Sequence, residues 1–154
     1  MKFNLSLATV AVGISVLISP AGAQPSQGGG LAGMQYAWGS GPNPRGKVLA
    51  NDGAGKFPDK DLGKDGYPGV APVGKFPANP YGLYDMTGNV WEWVEDLWHD
   101  HHGGAPSDGS ARLQGGDPHY RVIRGGSWRN ETEFIRAAVR FKRNVNVRFD
   151  TLGF

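Results

Sequence analysis

Residues 79–94 read Asn-Pro-Tyr-Gly-Leu-Tyr-Asp-Met-Thr-Gly-Asn-Val-Trp-Glu-Trp-Val, and residues 121–128 read Arg-Val-Ile-Arg-Gly-Gly-Ser-Trp. Neither run is explained by helix or strand periodicity alone. Two tryptophans flanking a glutamate, set just after Gly-Asn, are a rare combination. The rest of the chain is equally poor in period and rich in turn formers. Glycine (25) and proline (11) bring a chain of 154 residues near the edge of low-complexity composition. Five tryptophans argue against disorder, because disordered chains are poor in aromatics. The length fits at most one domain, and the composition predicts one that is ordered, compact and loop-rich.

The first 23 residues read as a secretory signal. Lys2 supplies the charge, 5–18 the apolar run, and Ala21-Gly22-Ala23 a small-residue cleavage site before Gln24. A membrane anchor is the alternative, but the run is short for a span and carries serine and glycine. Cleavage leaves a periplasmic or secreted protein with no membrane partner. Residues 24–34 are predicted to be a flexible linker, and 35–154 the domain. The chain has no cysteine, so no disulfide is available in that compartment. Formal charge is +2, but between Arg121 and Arg148 eight Lys/Arg face only Glu131 and Glu133. A solvated basic face accounts for this, and without an RNA- or DNA-binding motif no nucleic-acid partner is expected.

Residues 51–69 form a long polar stretch dense in Gly, Asp and Lys, of a length that in compact domains is usually functional or held by a ligand. Residues 71–74 read as a short extended piece. Residues 90–94 are predicted to be a strand, with Trp91 and Trp93 on one face and packed in the core. Residues 96–116 read as irregular, 121–123 as a strand ended by Gly125-Gly126, and 134–140 as an alternating strand. Residues 145–147 are left as strand or loop. The pattern fits an α+β or mostly β fold without long helices.

Several separate motifs closely resemble the formylglycine-generating enzyme, or sulfatase-modifying factor, family. They are Tyr36-Ala37-Trp38-Gly39, Asp65-Gly66-Tyr67-Pro68-Gly69, Ala71-Pro72-Val73-Gly74, the Trp-Glu-Trp block, Gly-Gly-Ser-Trp, 136–140 and Leu152-Gly153-Phe154. The resemblance implies an α+β, divergent C-type-lectin-like fold, loop-rich with short strands. The family's Leu-Pro-Thr-Glu-Ala-Glu-Trp-Glu block is not found. The match is therefore to a C-terminal half, the fold is expected to be incomplete at its N-terminal half, and a strand edge is left without its partner.

The resemblance also implies two calcium sites. Calcium takes six to eight oxygens, which loops rich in Asp, Asn and Gly supply. One site would use Asn51, the carbonyl of Asp52, Asp65 and the carbonyl of Tyr67. The other would use Asp85, the carbonyls of Gly88 and Val90, and Glu92. The bland alternative makes Asp85 and Asn89 turn formers and Glu92 a backbone cap. His99-Asp100-His101-His102 matches zinc spacings poorly and is read as a polar loop.

By the same resemblance the family's catalytic cysteine pair falls on Asn130 and Ile135. An amide and an alkyl chain cannot supply thiolates to copper, so neither a copper cofactor nor formylglycine generation by this chain alone is expected. The related sulfoxide synthases carry an iron domain that has no counterpart here. The resemblance places a ligand surface at Trp128, Arg129, Asn130, Glu131 and Arg136, with Arg136 and Arg140 alternatively serving loop carbonyls. The sequence reading is thus an exported, noncatalytic, calcium-stabilised module that binds a small ligand or a protein partner. Its alternatives are an oxidoreductase dependent on a missing half or a partner, and a gene fragment.

Overall fold

A computed structural model describes residues 33–53, 55–56, 60–61 and 63–153. The expected signal segment and nearly all of the linker lie outside them. Among the described residues there are six short strands and two 3-10 turns, Pro44–Gly46 and Thr132–Ile135. The strands are β1 Gly55–Lys56, β2 Lys60–Asp61, β3 Trp91–Trp98, β4 Asp117–Arg124, β5 Phe141–Asn144 and β6 Leu152–Gly153. β1 and β2 pair as a small hairpin within the polar stretch 51–69. The other four form a mixed sheet in the order β5-β4-β3-β6, with β6 parallel to β3 and the remaining pairs antiparallel. No helix among the described residues is long and apolar enough to cross a membrane.

Three strand expectations change. β3 runs to Trp98 and so absorbs the start of the segment read as irregular. Its pairing with β4 shifts register between Trp93 and Leu97, and the buried positions are Trp91, Val94 and Asp96. A bulge of this kind breaks period-two alternation, which is the signal a strand leaves in sequence. β4 is longer than read, starting at Asp117. Residues 134–140, expected as an alternating strand, are instead a 3-10 turn followed by irregular chain, and the strand begins at Phe141. Here the backbone bonds elsewhere: Ala137 N–H donates to the Gln35 carbonyl at 2.7 Å and Val139 N–H to the Arg136 carbonyl at 3.0 Å. The Arg124 guanidinium donates to the carbonyls of Val139 (2.6 Å) and Ala137 (2.9 Å). Residues 145–147 are loop.

The core sits under the 3-10 turn. Tyr36, Ala50 and Ile135 are buried together with Trp38 against them, and the Tyr36 and Trp38 rings stack at 5.5 Å. Gly126, at φ 78°, lies so close to Ile135 that an added Cβ would stand 2.5 Å from its Cγ2. That contact explains the second of the paired glycines ending β4, and the positive φ of Gly125 the first. Trp91 is buried and edge-on to Phe141 at 5.3 Å, whereas Trp93 is half-buried.

Candidate functional site

Asn51 is fully buried. Its Nδ2 donates to the Gly69 carbonyl at 2.7 Å and to Asn89 Oδ1 at 3.0 Å. Two acceptors on one side fix the orientation of the amide. Its Oδ1 is then buried with no hydrogen-bond partner among the described residues. Asp65 Oδ1 accepts from Tyr67 N–H at 2.9 Å, a local turn in the loop whose Gly69 carbonyl meets Asn51. Asp52 is also buried and its Oδ2 accepts from Thr132 Oγ1 at 2.8 Å. Asn51 Oδ1 is thus a buried acceptor without a donor among the described residues, and a hard cation is the kind of partner such an oxygen takes.

The second set surrounds a left-handed turn. Asp85 has φ 54°, Gly88 φ 77° and Asn89 φ 64°. Gly88 lies against the Asn51 backbone, where an added Cβ would overlap the Asn51 carbonyl oxygen. Asp85 Oδ2 accepts from Gly74 N–H at 2.6 Å. Burial, and then the negative charge of Asp85, push the Glu92 carboxyl above its usual range. Glu92 makes no salt bridge among the described residues. A carboxyl whose ionisation is disfavoured by burial and by a neighbouring negative charge is one that a cation would relieve. Among the described residues no three His, Cys, Asp or Glu side chains converge as a metal site. A cation at either set would therefore depend on carbonyl and amide oxygens, which calcium accepts and softer metals do not favour.

Asn89, read from sequence only as a turn former, is the hub between these sets. Its N–H donates to the Asn51 carbonyl (2.7 Å), and its own carbonyl accepts from Trp128 N–H (2.9 Å). Its Oδ1 accepts from Ala71 N–H (2.8 Å) and its Nδ2 donates to the Ala71 carbonyl (3.2 Å). The Gly-Asn pair before Trp91 was the available signal, since asparagine is among the few residues that enter the left-handed region readily.

The predicted ligand surface divides. Arg129 lies over the Trp128 ring at 4.5 Å and pairs with Asp150 at 3.1 Å, both charges exposed. Asn130 is structural: its Oδ1 accepts from Trp91 Nε1 (2.8 Å), Ser127 Oγ (2.7 Å) and Ser127 N–H (3.1 Å). Its carbonyl also accepts from Gly53 N–H at 2.8 Å. Glu131 is exposed before the 3-10 turn. Arg136 is exposed, with Nε donating to the Glu133 carbonyl at 2.8 Å. It borders a cleft of about 420 Å³ lined by Glu133, Phe134, Val139, Arg140 and Phe141. His99 is buried with ring nitrogens 3.0 Å from the Leu97 carbonyl and 2.8 Å from the Gln114 carbonyl, clasping the loop after β3.

The domain described as sulfatase-modifying factor enzyme 1-like matches residues 18–154. This chain belongs to that family. The sulfatase-modifying-factor match begins within the segment read as a signal. The chain is 38% identical over 129 residues to the formylglycine-generating enzyme of Mus musculus, covering 82% of this chain and 34% of the relative. It is 44% identical over 104 residues to that of Thermomonospora curvata, covering 65% and 34%. It is also 36% identical over 132 residues to the inactive C-alpha-formylglycine-generating enzyme 2 of Bos taurus, covering 82% and 38%. The chain spans about a third of the length of the curated relatives it matches. The solved structure of PvdO from Pseudomonas aeruginosa is 42% identical with a TM-score of 0.61, covering 70% of this chain and 39% of that one. The fold is accordingly the small, loop-rich α+β fold with few helices that the resemblance implied.

Proposed function

We propose that this sulfatase-modifying-factor-like chain is a noncatalytic binding module, exported to the periplasm or secreted, and stabilised by calcium. The carrying observation is the use made of the two positions where the family's cysteine pair falls. Asn130 is occupied by three hydrogen bonds to Trp91 and Ser127, and Ile135 is 2% exposed in the core. With no cysteine anywhere in the chain, neither position can present a thiolate to copper. A relative whose own name calls it inactive supports the reading.

Calcium, when bound, supplies positive charge and oxygen coordination rather than redox chemistry. The residues that would hold it are Asn51, Asp52, Asp65 and Tyr67 on one side, and Asp85, Gly88, Val90 and Glu92 on the other. Asn51 offers its undonated Oδ1, and Asp85 and Glu92 offer carboxylates that repel each other without a cation. The ligand-facing residues in this reading are Arg136 and the Trp128–Arg129 pair, with Glu131 beside them.

Thermal melting in calcium and in excess chelator tests the calcium claim. A ligand that binds only the folded state raises the melting temperature progressively as its free concentration exceeds its dissociation constant. An unchanged melting temperature refutes it. Incubation with a cysteine-containing sulfatase peptide, copper and oxygen tests the noncatalytic claim, which fails if formylglycine appears.

A further inference from the structure

β5 is an outer strand of the sheet. Val145 N–H donates to the His119 carbonyl, in register with the β4–β5 pairing of Tyr120 with Asn144. Antiparallel pairs alternate between bonded and unbonded, so the bonded pairs are Arg143–Arg121 and Phe141–Ile123. Lys142 and Asn144 therefore direct their N–H and C=O groups away from β4, where the Lys142 carbonyl accepts from Arg143 Nη1 at 3.2 Å and the Asn144 carbonyl from Val147 N–H at 3.1 Å. Phe141, Lys142 and Arg143 are exposed, and the cleft beside Arg136 opens at the start of this strand.

The two faces of that edge differ in chemistry. Phe141 contacts Trp91 on one side, and Phe134 lies beside it at 5.9 Å, both phenylalanines remaining about a third exposed. On the other side, the Arg140 guanidinium lies over the Trp98 ring at 4.2 Å. The Lys142 ammonium lies 5.4 Å from Trp98 and 5.2 Å from Tyr120. The Phe141 face is apolar at the cleft end of the strand and carries Arg143 further along, whereas the Arg140 and Lys142 face presents two cations over aromatic rings.

We propose that the outer edge of β5 and the adjoining cleft dock an extended segment of a partner protein in which acidic and apolar side chains alternate. A strand added to β5 pairs its carbonyls with the N–H groups of Lys142 and Asn144 and displaces the exposed Arg143 guanidinium from the Lys142 carbonyl. Period-two alternation then sends its apolar side chains to Phe134 and Phe141 and its carboxylates to Arg140 and Lys142. Arg136 at the cleft rim adds a further cation. Nucleic acid fits less well, because the Trp98 and Tyr120 rings already carry cations and Glu133 stands in the cleft. The proposal rests on the binding-module reading and names the partner's chemistry.

The probe is a fluorescent acetylated peptide, Glu-Val-Glu-Phe-Glu-Val-Glu, bound to the full chain and followed by anisotropy at low salt. It is expected to bind roughly tenfold or more tightly than its lysine-for-glutamate counterpart, and more weakly as salt rises. N-methylation of alternate peptide amides abolishes binding if main-chain pairing holds it. Lys142→Glu and Phe134→Ala, both at exposed positions, each weaken binding by roughly tenfold with melting temperature retained. Equal affinity for the acidic and basic peptides overturns the proposal, as does binding unchanged in both variants. Tighter binding of an oligothymidylate, or a β5-mediated dimer that excludes the peptide, overturns it too. Failure of the peptide with calcium stabilisation intact removes this proposal alone, whereas formylglycine formation removes the reading beneath it.

Discussion

Replacing Asn130 by alanine tests whether that position is committed to structure. The substitution removes one acceptor from three donors: Trp91 Nε1 at 2.8 Å, Ser127 Oγ at 2.7 Å and Ser127 N–H at 3.1 Å. Ser127 is 1% exposed and Trp91 5%, so solvent does not replace the lost partner without rearrangement. The hydroxyl can rotate to another acceptor, but the indole and amide donors are fixed. At about 1–3 kcal/mol for each stranded buried donor, the cost is about 2–6 kcal/mol. Entry of one water into the vacated amide volume brings the expectation to about 3 kcal/mol. At about 2–4 °C per kcal/mol for a chain of this size, the melting temperature falls by roughly 6–12 °C. Asn130→Asp keeps an acceptor at the same place and should cost below about 1 kcal/mol. Calorimetry on the three proteins under one buffer reads both values. A fall below about 2 °C for Asn130→Ala refutes the claim that Asn130 serves as a structural acceptor.

Gly88→Ala places a Cβ on the Asn51 backbone carbonyl at a positive φ, and should cost about 3 kcal/mol or more. Gly109→Ala, with φ +95° but open space around it, should cost only about 1–2 kcal/mol, and thermal melts compare the two. Arg124→Lys loses the fork that holds the Ala137 and Val139 carbonyls, so amides between 137 and 141 should exchange faster in hydrogen-exchange mass spectrometry. Burial, then the charge of Glu133, raise Tyr36 above its usual value of 10.0. The neutral ring therefore contributes stability below about pH 10 that is lost as pH rises through the folded value. Tyr36→Phe should flatten the alkaline fall in melting temperature expected of the wild type above pH 10, and an unchanged alkaline limb refutes the assignment.

The residues that mark the family are legible because they are chemically unusual in place. Gly88-Asn89 before the buried Trp91, and Gly125-Gly126 against Ile135, are needed by backbone geometry that few other residues reach. β4 is legible for the same reason that most strands are: Val122 and Ile123 are buried and a glycine pair stops it. What resists reading is whatever depends on distant partners. The 134–140 alternation looks like a strand, but Gln35 and Arg124 claim its backbone from far along the chain. β3 hides its second half behind a register shift. The candidate site is partly legible: carboxylates and asparagines mark themselves as oxygen donors. The undonated Asn51 Oδ1 exists only because Gly69 and Asn89 occupy the other end of the amide.

The hydrogen bond from Thr132 to Asp52 joins residues 80 apart, and Gly53 is bonded to Asn130 alongside it. Two stretches so distant must find each other before Asp52 and Gly53 gain these partners. At a synthesis rate of about 5–20 residues per second, the partner of Asp52 emerges roughly 4–16 s after Asp52 itself. The Asp52 carboxylate and the Gly53 amide are therefore the late-satisfied end of this loop, whereas the Asn51 amide finds Gly69 and Asn89 with the first 89 residues. Until residues 130–132 emerge, the Asp52 carboxylate and the Gly53 amide are open to whatever the nascent chain meets.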